Sequence, residues 1–210
     1  LALTAGGRLI ALDAKLSIDD NALFRHADLR ALRDFMARDE SDPVELEAQQ
    51  HQINYIRMAG DIGVLVNGAG LALATLDMVC DAGGRPANFM DIRTTATSLD
   101  IARGFGLILD NRAVRSILVN VHGGGMQACD TIAEGIGIAV RRRGPQRLAR
   151  GIPIVICMAG NHAEFARTVL HNTGVPHIAC TTPWDAVQQA VACAKREAPS
   201  WLSSLVAKRA

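Results

Sequence analysis

Two short stretches of this 210-residue chain carry residue types suited to gripping an anion: Asn67-Gly68-Ala69-Gly70 and His122-Gly123-Gly124-Gly125. Each follows an apolar run and precedes a helical pattern. Glycine lets backbone N–H groups approach a ligand closely, and a helix start adds a partial positive charge. A phosphate or a carboxylate suits such a loop; glycines that merely make tight turns are the alternative reading of either loop alone. Gly68-x-Gly70 also invites a dinucleotide reading, because Asp91 closes the next apolar run near the ribose-binding position. The third glycine position is Leu73, however, and a bulky residue there opposes the close helix–strand packing that fingerprint needs. His122 has the chemistry of a nucleophile or general base, but a lone loop histidine is more often a hydrogen-bonded bystander. His162 and His177 lack partners at metal-ligand spacing, and no GxSxG occurs.

The elements that must position these loops follow one repeated pattern from Gly63 onward. Apolar runs at Gly63–Val66, Asn88–Ile92, Ser116–Val121, Pro153–Met158 and Pro176–Cys180 are short enough for strands buried on both faces. Helical patterns lie between them at about Leu71–Asp81, Ser98–Leu109, Gln127–Arg142, His162–Asn172 and Pro183–Lys195, with Thr97 or Ser98 as an N-cap and Asn172-Thr173-Gly174 as a stop. Five βα units predict an open parallel sheet with right-handed crossovers, and ligands of such sheets bind beyond the carboxyl ends of the strands. Residues 1–59 read differently. Leu1–Leu16 is two strands around a tight Gly6-Gly7 turn, a hairpin from another sheet, and Ala22–Ala48 is a charged helical connector in which Pro43 after Asp42 suits a helix start.

Composition narrows the function. With 22 basic and 21 acidic side chains the net charge is +1, and the basic cluster Arg141-Arg142-Arg143 with Arg147 and Arg150 reads as a loop without interleaved aromatics, so nucleic acid is not an expected partner. The uncharged apolar run Ile62–Leu76, 15 residues long, falls short of the roughly 20 a membrane span needs. The first residues lack signal-peptide order, and the chain opens with Leu, as a piece of a longer polypeptide would. Cys80, Cys129, Cys157, Cys180 and Cys193 are widely spaced with no CxxC, which reads as reduced core thiols of a cytoplasmic protein.

The segments VLVNGAGLALATLDMV, GGRPANFMDI, ILVNVHGGGMQACDTIAEGI and MAGNHAEFA resemble, in order and spacing, the carboxy-terminal half of the succinyl-CoA synthetase β subunit family, which includes malate–CoA ligase relatives. LIALDAKLSIDDNALFRHADL resembles the end of that subunit's ATP-grasp domain. The resemblance implies an ATP-grasp remnant and helical connector over residues 1–59 and a flavodoxin-like CoA-ligase domain over 60–210. The implied activity is an ADP- or GDP-forming carboxylate–CoA ligation, of the kind used in the tricarboxylic acid cycle, through an acyl phosphate and a phosphohistidine carried on a partner α subunit. It also implies roles. Asp13 matches the aspartate of the Mg²⁺–nucleotide site (ATP or GTP), Asn67 matches a residue that binds the carboxylic acid, and Gly124, Gly125 and Met126 match a loop that contacts substrate, while CoA binds the partner. The isolated chain is expected to be inactive, and no catalytic side chain is assigned to it.

The chain also departs from the family pattern. Arg93-Thr94-Thr95-Ala96 stands where a Gly-Gly-Gly-Ala stretch is usual, the loop VHGGGMQACD is one residue longer, and His122 replaces an aromatic residue. These changes lie near the expected carboxylate pocket or subunit contact. A non-catalytic assembly module of the same fold is the second reading they allow.

Overall fold

The computed structural model describes residues 2–12, 19–32, 42–51, 53–124, 127–148 and 151–195. The chain divides into two compact units, Leu1–Ser41 and Asp42–Ala210. In the first, β1 (Ala2–Leu3) and β2 (Leu9–Ile10) pair antiparallel, as the sequence predicts. Their turn closes through Gly7 N–H on the Thr4 carbonyl at 2.9 Å, with Gly7 at φ +76°. A 3₁₀ turn spans Asp20–Arg25 and residues 27–32 are helical.

The second unit is the expected α/β sheet. It begins with helix α1 (Pro43–Gln50), whose N-cap Asp42 accepts from Val44 N–H at 2.8 Å, leaving Pro43 in the first turn where its missing donor is harmless. Strand β3 (Ile53–Arg57) follows. Then β4 (Ile62–Asn67), β5 (Asn88–Ile92), β6 (Ser116–Gly123), β7 (Ile154–Gly160) and β8 (Ile178–Cys180) alternate with α2 (Ala69–Asp81), α3 (Ser98–Asp110), α4 (Cys129–Leu148), α5 (Ala163–Asn172) and α6 (Pro183–Lys195). The sheet order is β3-β5-β4-β6-β7-β8. Strands β4 to β8 are parallel and, numbered along the chain, run 2-1-3-4-5, the flavodoxin-like order.

Alternation along the central strands feeds two cores. Leu65, Met90, Ile117, Val119 and Ile156 face α1, α3, α4 and α5, whereas Val64, Val66, Leu118 and Val155 face α2 and α6. Both faces of the sheet are therefore covered, which is why the strands read as continuous apolar runs. Thr97 caps α3 through a reciprocal pair with Asp100, and Gly174 at φ +68° ends α5.

Three features differ from the sequence reading. Ile53–Arg57, placed in the preceding connector segment, is an antiparallel edge strand on β5, with Ile53 and Tyr55 buried and Asn54 between them on the other face. Helix α4 starts at Cys129 rather than Gln127, because Gln127 N–H and O bond back to Gly124 and hold a tight loop. The same helix runs on to Leu148, so Arg141–Arg143 and Arg147 are helical rather than looped; arginine is a good helix former, and Arg143 grips Asp110 through two N–H groups, Nε at 3.3 Å and Nη2 at 2.5 Å.

Candidate functional site

The connections after β4 and β6 leave adjacent parallel strands in opposite directions across the sheet, which opens a crevice between their carboxyl ends. Both glycine loops lie there. The two are tied by one side chain. Asn67 donates from Nδ2 to the His122 carbonyl at 2.8 Å and accepts at Oδ1 from His122 N–H at 2.9 Å. The amide thus extends the β4–β6 ladder past its last backbone pair, Val66 with Asn120. One Nδ2–H and one Oδ1 lone pair are left over on a half-exposed residue.

Gly68, next in the chain, sits at φ +92°, and its N–H is held by Asp91 Oδ1 at 2.7 Å. Asp91 is 7% exposed, and its second oxygen takes a hydrogen bond from Asn54 Nδ2 at 3.3 Å. The carboxylate that a dinucleotide site would give to a ribose is committed to shaping the Gly68 turn.

The triple-glycine loop works by close packing. An added Cβ at Gly123 would lie 2.5 Å from the Asn161 carbonyl oxygen and 2.8 Å from Cys129 Sγ, whereas at Gly124 the nearest atom among the described residues is His122 Cδ2 at 4.0 Å. Gly123 is therefore a spacer between β6 and the end of β7, and Gly124 faces open space. The expectation that N–H groups of this loop converge on an anion is corrected for Gly124, whose N–H donates to Gln127 O at 3.1 Å. Cys129 N–H at the start of α4 is likewise spent, on Asn161 O at 3.1 Å. Gly125 and Met126 lie outside the described residues, as does Asp13.

The other histidines resolve differently. His122 keeps its ring exposed while its backbone is clamped by Asn67. His162 adopts a left-handed φ of 61° and meets Asp130 Oδ2 through Nδ1 at 3.1 Å, beside a cleft of about 550 Å³ whose lining includes Gly160, Arg167 and Thr181. His177 Nδ1 faces the Val175 carbonyl at 2.9 Å. Burial pushes the Cys129 and Cys157 thiols above their ordinary range, which keeps them protonated and inert at neutral pH. Cys80 is exposed.

Two residues that the sequence reading missed join the loops. Gln127 is 3% exposed and, with its amide nitrogen turned inward, donates to the Thr94 and Arg93 carbonyls at 3.2 and 3.3 Å. Asn54 bonds Arg93 as well as Asp91, since Arg93 Nη2 donates to Asn54 Oδ1 at 3.2 Å. No motif announces Gln127. Asn54 had a signal in the Ile53-Asn54-Tyr55 alternation, which marks a half-buried strand. Among the described residues no three His, Cys, Asp or Glu side chains converge as a metal site, and no helix is long and apolar enough to cross a membrane.

The CoA-ligase family profile matches residues 65–191. The chain is 44% identical over 198 residues to the β subunit of an ADP-forming succinate–CoA ligase from Paramagnetospirillum magneticum, covering 94% of this chain and 48% of that protein. The equivalent subunit of Haemophilus influenzae is also 44% identical, over 197 residues. The chain spans about half the length of the curated relatives it matches. Among solved structures, the ATP citrate lyase of Methanothrix soehngenii, in complex with citrate and coenzyme A, shares the fold with a TM-score of 0.63 at 18% identity over 72% of this chain and 42% of that one. The matched span contains β5 to β8 and both glycine loops, and the chain belongs to the CoA-ligase family.

Proposed function

We propose that this chain is the carboxy-terminal part of the β subunit of an NDP-forming acid–CoA ligase, supplying the half of the acyl-phosphate site that receives the carboxylic acid. The observation that carries the reading is the Asn67–His122 lock. In a chain 44% identical to succinate–CoA ligase β subunits, it sets a polar amide with one spare N–H at the crevice between β4 and β6. In this reading the spare Nδ2–H of Asn67 orients the acid's carboxylate. Gly124 keeps the facing wall free of side-chain bulk, and Gly125 and Met126 complete the loop. The helix dipole of α4 adds a favourable field for an anion.

The phosphohistidine belongs to a partner α subunit, which also holds CoA, so the 210-residue chain alone is inactive. Asp13 is the proposed Mg²⁺ ligand for ATP or GTP, a hard carboxylate oxygen for a hard cation, with further ligands supplied from elsewhere in the longer protein. Residues 1–59 are the end of the ATP-grasp domain and its connector, whose α1 and β3 pack into the sheet of the CoA-ligase domain of 60–210. The setting is cytoplasmic.

The test is acid- and CoA-dependent NDP release by the full-length polypeptide co-expressed with its partner, over a panel of carboxylic acids with ATP and GTP. Turnover with at least one acid, and its loss in Asp13→Ala at the phosphohistidine-forming step, is the expected result. A pair that folds and assembles but releases no NDP with any acid sinks the reading and favours an assembly module.

A further inference from the structure

Three cysteines gather at the β8 edge of the sheet, away from both glycine loops. Cys157 on β7 and Cys180 on β8 are register partners in the parallel ladder, so their side chains leave the sheet on the same face. Cys157 belongs to the core that α2 and α6 cover, Cys180 packs against that core, and Cys193 is buried on α6 itself. All are free thiols. Partners across a parallel ladder have Cα atoms about 4.8 Å apart, inside the roughly 4.4–6.8 Å that a disulfide spans. The grouping is not a metal site, since among the described residues no three His, Cys, Asp or Glu side chains converge as one.

Exposure divides the pair. Cys157 is 2% exposed and closed to reagents in solution. Cys180 is half-buried at the end of an edge strand, and it lines a cleft of about 380 Å³ together with Asp185 and Gln188. Burial, then the Asp185 carboxylate and the Cys193 thiol, push the Cys180 thiol above its ordinary range. Its thiolate is therefore scarce at neutral pH, and its reaction is slow. The second step has no such handicap. A sulfur held opposite an oxidised neighbour needs no encounter, and that proximity offsets the thiolate fraction that burial removes from Cys157.

We infer that Cys180 is a site of oxidation by hydroperoxides and that Cys157 is its resolving thiol, the two closing a reversible disulfide between β7 and β8. In the first step the Cys180 sulfur attacks one peroxide oxygen. An S–O bond forms as the O–O bond breaks, two electrons pass from sulfur to oxygen, and the departing hydroxide leaves as water with the thiol's proton. Cys157 then attacks the Cys180 sulfenic acid. The S–S bond forms, the S–O bond breaks, and the hydroxide takes the Cys157 proton as a second water. Two thiols and one hydrogen peroxide thus become one disulfide and two waters. The ladder spacing exceeds the Cβ separation of about 3.8 Å that a relaxed disulfide prefers, so the bond is strained and easily reduced by a small thiol.

The experiment exposes the 210-residue chain to hydrogen peroxide at pH 7 and pH 8, then unfolds it, blocks the remaining thiols with N-ethylmaleimide and maps the peptides by mass spectrometry. The expected result is a monomer that has lost two thiols to a Cys157–Cys180 cross-link, with Cys129 and Cys193 still alkylated. Reduced glutathione, added before unfolding, restores both thiols. Cys193→Ser keeps the cross-link and Cys157→Ala abolishes it, each checked for folding by a thermal melt. The exposed Cys80 reports that peroxide has acted. A Cys180–Cys193 link in place of the expected one overturns the inference. So does Cys180 carried on to sulfinic acid beside an intact Cys157 thiol, or Cys180 unoxidised at both pH values while Cys80 reacts.

Discussion

Two asparagines grip a neighbouring strand's backbone with the same device, one on the middle of β4 and one from its carboxyl end, and their surroundings give them different work. Asn88 on β5 turns its side-chain amide to Val64, donating from Nδ2 to the carbonyl at 2.7 Å and accepting from the N–H at 3.1 Å. Asn67 does the same to His122 across the β4–β6 boundary. Asn88 is fully buried, with no room for another partner, so its amide is a ladder rung and nothing else. Asn67 is half exposed at the crevice, so the same rung has a donor to spare. Burial, rather than the hydrogen-bond pattern, separates a structural amide from one available to a ligand.

The largest expected effect breaks the buried rung. Asn88→Ala leaves the Val64 N–H and carbonyl without partners in a dry interior, at about 1–3 kcal/mol for each orphaned group. A drop of about 3 kcal/mol in unfolding free energy by urea titration is the expected outcome. A loss under 1 kcal/mol would mean that water or backbone movement replaces the rung.

Asn67→Ala sharpens the contrast. Its partners reach solvent, so the stability loss is expected near 1 kcal/mol, while binding of a carboxylic acid at the crevice weakens at least tenfold. Thermal melts beside amide-shift titrations separate the two. A melt that collapses while acid binding survives would make Asn67 a second Asn88.

Smaller still is the effect of a cap remote from both rungs. Thr97→Ala removes half of a capping box and costs about 1 kcal/mol at neutral pH. Partial burial pushes the Asp100 carboxyl up, but the hydrogen bonds from Thr97 outweigh it and hold the group below its ordinary value. A carboxyl whose value is depressed on folding stabilises above its unfolded value and loses that contribution as pH falls through the folded one. The Thr97→Ala penalty therefore shrinks below the normal carboxylate range. A penalty independent of pH would contradict the reciprocal Thr97–Asp100 bond.

Much of this architecture was legible because βα repetition is a local signal. Asn88–Ile92 and Pro183–Lys195 have the bounds the sequence predicts, whereas the 2-1-3-4-5 strand order, one of two common in doubly wound sheets, is set by long-range pairing that no local signal states. Strand β3 was not legible in the same way. Its alternation is short, and its pairing partner β5 lies some thirty residues on, a separation at which local propensity says nothing of which edge a strand will join. At the site, the two loops were visible through their glycines, but why each needs glycine was not. Gly68 is required by its φ of +92° with open space around it, and Gly123 by the Asn161 backbone against it. Asn54 and Gln127 escaped notice because their roles exist only once three distant segments meet.

In the proposed function the crevice beside the Gly124 loop receives the acid, and Gly124→Val probes that placement. Gly124 has no positive φ, and among the described residues the atom nearest an added Cβ is His122 Cδ2 at 4.0 Å, so a side chain there meets open space at the crevice. Acid- and CoA-dependent NDP release is measured for the full-length pair with and without the substitution, beside a thermal melt. An unchanged melt with ligation reduced about a hundredfold or more is the expected result, in line with misplacement of a reacting group. Ligation at the normal rate in a folded Gly124→Val enzyme would contradict it.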